Sequence, residues 1–144
     1  MKWLISILLL FITVNCFSQY QWKRLGYYTA SISLDAAGDA LNDNGSKELG
    51  HLFEAASVGV MFTIPFDKDM RLHFKDATFK DYAIDLIIYT GLRYAIFNLV
   101  YNLVAGQNWD YIGNTDWIDK GTRELGQFSK VVTLTFIIGL NFNE

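Results

Sequence analysis

Asp35 and Asp39 stand four residues apart with Ser31 one turn earlier, and His51 and Glu54 stand three apart. On helices each set shares a face. With Asp85 they offer four carboxylates and one imidazole from three segments, the ligand types of metal sites built inside helical bundles and of acid–base chemistry. The order of residues weighs against that use. Di-metal bundles take Glu-x-x-His from each of two helices, whereas this chain has one His-x-x-Glu in reverse order. A structural use is favoured. His51, near the start of its helix, faces solvent or bonds Glu54, and Asp35 or Asp39 neutralises Arg93, whose charge among Leu92, Ile96 and Phe97 needs a partner.

Asp85 and Arg93 are separated by about 12 Å along a helix, too far to pair directly, with Tyr89 on the intervening turn as a bridge. Asn98 and Asn102 continue the polar series of that segment, while His73 reads as a surface residue in a charged stretch. Nucleophile elbow, phosphate loop and paired-histidine zinc motif are all missing from the sequence. The expectation is a polar core at Asp35, Asp39, His51, Glu54, Asp85, Arg93, Asn98 and Asn102, with no cofactor and no assigned catalytic residue. The alternative is a membrane-embedded hydrolase or metal-dependent enzyme using Asp35, Asp39, His51, Glu54 and Asp85.

The elements that must hold these residues are read from punctuation. A first helix over 25–41 stops at Asn42-Asp43-Asn44-Gly45, a strong turn signal that outweighs the glycosylation match at Asn44. Ser46 caps a second helix over 46–64, closed by the restriction Pro65 places on its predecessor. Residues 67–80 alternate acids and bases and form a solvated or headgroup-level connection. Thr78 caps the third and longest helix, 79–105, which Gly106 terminates in a left-handed conformation. An ordered aromatic loop from Gln107 to Trp117 leads to a fourth helix over 116–140, capped by Thr115 or Asp116. Its β-branched second half, Val131 to Ile138, leaves a terminal strand as the alternative. The fold class is all-α, a membrane-associated four-helix bundle.

Residues 1–18 carry Lys2, an apolar run from Leu4 to Val14 and a small-x-small site at Cys16-Phe17-Ser18. That is a secretory signal, too short at about 11 apolar residues to span a bilayer. A lipidated Cys16 is disfavoured by Asn15 before it. The mature chain, 19–144, has the length of one helical domain and no cysteine, so neither a disulfide framework nor a zinc-thiolate site is open to it. Without Lys2, eleven Lys and Arg face fifteen Asp and Glu, scattered rather than clustered, which excludes the cationic face that nucleic-acid binding requires.

Segments 52–66, 82–105 and 128–142 are apolar enough to enter a bilayer, with Trp22, Trp109 and Trp117 outside them at interfacial positions. The polar residues of the longest segment must then face partners or an aqueous interior. A small outer-membrane β-barrel is a third reading, carried by the alternation in Val58 to Ile64 and by the β-branched C-terminus.

Arg93, Asn98 and Asn102, followed by Tyr111-Ile112-Gly113-Asn114-Thr115, form a pattern that resembles small exported helical membrane proteins of bacteria. The resemblance extends to Asp39 and Gly50-His51-Leu52-Phe53-Glu54-Ala55. It implies a helical, membrane-associated fold and brings no known activity. The function expected is that of an exported cell-envelope membrane protein, periplasm-facing, in a structural or accessory role. Its partners would be the lipid bilayer and other envelope proteins, not nucleic acid.

Overall fold

The computed structural model describes residues 19–112, 120, 123–126 and 128–143. The expected signal sequence with Cys16, and the expected cap at Thr115 or Asp116 with Trp117, lie outside the described residues. Among the described residues four long helices pack as a bundle, with no strand. They are α1 (Gln19–Asp43), α2 (Lys47–Thr63), α3 (Phe79–Val104) and α4 (Phe128–Asn143), with a single 3₁₀ turn (Ile64–Phe66) after α2. The two segments that raised the barrel reading, Val58 to Ile64 and the C-terminus, are helical, so that reading is overturned at the level of the fold. Of the β-branched residues of α4, Ile137 is buried against α3, while Val131, Val132 and Ile138 are exposed on a helix all the same.

Each boundary has a local cause. Gly45, at φ +86°, closes α1 by letting the Ser46 N–H reach the Leu41 carbonyl at 2.8 Å. Ser46 precedes α2 without a capping side-chain hydrogen bond, contrary to expectation, its backbone at φ −88° and ψ 56° lying outside the extended region typical of a capping residue. Pro65 sits inside the 3₁₀ turn and stops α2 at Thr63. Thr78 and Asp81 form a reciprocal capping box at the start of α3. Gly106, at φ +70°, closes α3 while the Gln107 N–H bonds the Asn102 carbonyl at 2.8 Å.

Two expected boundaries move. The first helix begins at Gln19 rather than residue 25, which brings Lys23 and Arg24 into it. The fourth is not continuous from 116 to 140: Arg123–Leu125 are helical, Gly126 at φ +74° breaks the path, and α4 starts at Phe128.

α1 is the central element. It packs chiefly on α2 and α3, while α3 also packs on α4. Its buried stripe runs Arg24, Tyr28, Ile32, Ala36, Ala40, one residue every four, with Ser31 and Ala37 beside it. Small residues let α2 approach closely. The Gly38 and Gly50 backbones meet so tightly that a Cβ on Gly38 would fall 2.9 Å from the Gly50 carbonyl oxygen. Ser31 Oγ and Ser57 Oγ, 3.0 Å apart, join the same two helices nearer the other end. Gly91 on α3 gives Ile137 of α4 its space. One end of the bundle thus gathers the start of α1, the 67–78 connection and the end of α4. The other holds the 44–46 turn and the chain that follows α3.

Candidate functional site

The interior is polar at two levels. At the end where α1 begins, Arg24 is 1% exposed and Asp85 3%. Arg24 Nη1 lies 3.4 Å from Asp85 Oδ1, Nε donates to Asn141 Oδ1 at 2.6 Å, and Nη2 donates to the Asn141 carbonyl at 2.9 Å. Asn141 Nδ2 in turn donates to the Gln21 carbonyl at 3.2 Å. One guanidinium therefore joins α1, α3 and α4. Asp85 is the less well held partner, because its Oδ2 is buried with no hydrogen-bond partner among the described residues.

Midway along the bundle, Arg93 on α3 pairs with Asp35 on α1, as the charge argument required, and its guanidinium lies 4.3 Å from the Phe97 ring centroid. Asp39, the alternative partner, lies within electrostatic range of Asp35, Glu54, Asp43 and Arg93 without sharing the direct bond. Tyr89 lies one turn before Arg93 on α3, its ring 5.5 Å from that of Tyr28. It does not bridge to Asp85, whose partner is Arg24.

The remaining candidates separate. His51 Nδ1 sits 3.2 Å from Glu54 Oε2 on an exposed face of α2, and Asn42 donates to the other Glu54 oxygen. Asn98 is half-buried. Asn102 is buried and ties down the following loop, its Nδ2 donating to the Tyr111 carbonyl at 2.7 Å and the Trp109 carbonyl at 3.3 Å. Tyr101 donates to Asp43 beside it. Asp35, Asp39, His51, Glu54 and Asp85 are not brought to one point. Among the described residues no group of three or more His, Cys, Asp or Glu is placed to hold a metal ion.

His73 is corrected as well. It is buried, not a surface residue, with its ring 4.7 Å from that of Phe74 and Nδ1 3.3 Å from Asp76 Oδ2. The connection it belongs to is folded back on itself, the Phe74 N–H bonding the Pro65 carbonyl at 3.1 Å. Asp67 there accepts from the Asp69 backbone N–H at 3.0 Å and from Tyr27 Oη at 2.9 Å, and lies 3.5 Å from Lys23 Nζ. Those contacts, the Asp69 N–H first, hold the Asp67 carboxyl below its usual range.

Arg24 is the residue that sequence reasoning missed. Its signal was the four-residue spacing of 24, 28, 32, 36 and 40, hidden once the helix was begun at 25. Fold and interior together define an all-α bundle with charge-paired, hydrogen-bonded polar contacts between its helices. Against protein-family models, curated proteins and solved structures, the chain has no match.

Proposed function

We propose that this chain is an exported membrane protein of the cell envelope, with its helices embedded in the bilayer and a structural or accessory role, alone or within a larger assembly. The carrying observation is the inverted distribution of polarity. Arg24, Asp85, Ser31, Ser57, Asn102 and Asn141 are enclosed, while Phe62, Leu86, Leu103 and Phe136 are each more than 60% exposed. Isolated exposed apolar residues are ordinary, but large contiguous apolar surface marks an interaction face. Here it runs along the outer faces of α2, α3 and α4.

Lys47–Phe66 and Phe79–Val104 are long and apolar enough to cross a membrane, and only 17% of each span's most apolar window is buried inside the bundle. A core helix of a water-soluble protein would be mostly enclosed. The polar interior also suits lipid, since interhelical hydrogen bonds and small-residue contacts replace the hydrophobic drive that lipid removes. Intramembrane charges find partners, as Arg24 and Arg93 do.

The test is alkaline extraction of membranes from cells expressing the full chain, followed by flotation and intact-mass analysis. The expected result is a chain beginning within a few residues of Gln19 that floats with lipid after the alkaline wash. Release into the aqueous fraction would overturn the membrane reading.

A further inference from the structure

Charge leaves the outer surface of the bundle at defined heights. Among the described residues, no exposed residue is Asp, Glu, Lys, Arg or His from Leu52 to Phe66, from Tyr82 to Val104 or from Phe128 to Phe142. On α1 the same holds from Trp22 to Asn42, where the exposed positions are Trp22, Gly26, Thr29 and Ala30. Exposed charge resumes at the edges, with Asp43 and His51 at one end of the bundle and Lys68 and Lys80 at the other. Exposed aromatic residues stand beside both edges. Trp22, Phe66 and Tyr82 lie at one end, and Trp109 and Tyr111 at the other, where interfacial rings belong.

The uncharged surface is short. On α3, Tyr82 and Tyr101, the latter bonded to exposed Asp43, stand about 28 Å apart along the axis. On α2 and its 3₁₀ turn, Leu52 to Phe66 covers only about 21 Å, and the 16 residues of α4 cover about 24 Å. All three fall below the roughly 30 Å of hydrocarbon in an average bilayer. His51 sets the tightest limit, because its side chain is 70% exposed one turn inside α2, and a thicker layer would take it out of water. Glu54, one turn further in, is less exposed and bonded to Asn42. A short apolar surface is accommodated by thinning the lipid around it, at a cost that grows with each ångström.

We infer that the bundle spans, and prefers, a bilayer thinner than about 30 Å, bounded at one face by Phe66 and Tyr82 and at the other by His51 and Tyr101. The inference rests on the membrane reading above and adds the thickness of lipid that the outer surface fits. Short acyl chains match this height, and long ones leave His51 and the edge of α4 within hydrocarbon.

The test reconstitutes the full chain, purified from membranes, into vesicles of dimyristoleoyl-, dioleoyl- or dierucoyl-phosphatidylcholine, one headgroup with increasing chain length. The readout is the ratio of protein resistant to alkaline wash to protein released by it. That ratio should be at least about tenfold higher in the myristoleoyl than in the erucoyl vesicles. His51→Leu, which extends the apolar run of α2 by about a turn, should shrink the difference about threefold. His51→Gln, which keeps a polar side chain there, should behave like the parent and separates loss of polarity from loss of fold. A flat series, a preference for erucoyl lipid, or a difference unmoved by His51→Leu would overturn this inference and leave the membrane reading standing. A chain released by the wash from all three vesicles sinks the membrane reading with it.

Discussion

Arg24 on the second turn of α1 meets Asp85 on α3 and Asn141 on α4 at once, three helices closing on one guanidinium. Asp85→Leu should therefore be the most damaging single change in the interior, about 3–5 kcal/mol, because the stranded guanidinium cannot lose its proton. Arg24→Met should cost less, since the stranded carboxyl can take up a proton. The double variant should be milder than either single change. Thermal unfolding in detergent measures all three, and additive losses would contradict the pairing.

The Arg93 and Asp35 side chains are less enclosed, 38% and 28% exposed, and Arg93 keeps Phe97 and Tyr89 as neighbours when Asp35 is lost. Asp35→Leu should accordingly cost roughly 1–3 kcal/mol, less than Asp85→Leu. Asp39→Leu should cost less again, and a double-mutant cycle should show coupling for Arg93 with Asp35 exceeding that for Arg93 with Asp39.

Gly38→Ala and Gly50→Ala test the α1–α2 crossing. Each Cβ would press on the opposing backbone carbonyl, at 2.9 Å and 2.8 Å, and a carbonyl inside a helix cannot swing aside. Both should destabilise by about 1–3 kcal/mol. Gly59→Ala, in open space on the same α2 helix, should be neutral or stabilising by up to about 1 kcal/mol. Equal effects at all three positions would mean that close approach is not what holds the crossing.

Asp67 sets an acid limit. Its carboxyl is held below the usual range, so its contribution is present above the unfolded value of about 3.9 and is lost as pH falls through the lower folded value. Asp67→Asn should lower the unfolding midpoint at neutral pH and flatten its decline below about pH 4. The parent and variant curves should converge at the acid end, and parallel curves would assign the acid loss to other groups.

How far the sequence could be read follows from where its signals are chemical. Pro65, Thr78 and Gly106 act through fixed dihedrals, a missing donor or a hydroxyl, so the boundaries of α2 and α3 were legible to within about two residues. The start of α1 was not, because Gln19 to Arg24 looks like polar chain after a cleavage site until its burial is known. Gly126 lay within an otherwise helical pattern, and nothing local distinguishes a tolerated glycine from one at φ +74°. At the site, Arg93 with Asp35 followed from charge demand. Arg24 with Asp85 depends on the relative phase of helices 61 residues apart, which periodicity alone does not supply.

The same guanidinium carries a timing consequence. Asn141, its best-bonded partner, follows it by 117 residues, so at roughly 5–20 residues per second it is synthesised about 6–23 s later. Asp85 is made about halfway through that interval, 61 residues after Arg24, and Asn141 only at its end. The first of the four described helices is therefore among the last to be locked, and the contacts of Arg24 are complete only when α4 arrives.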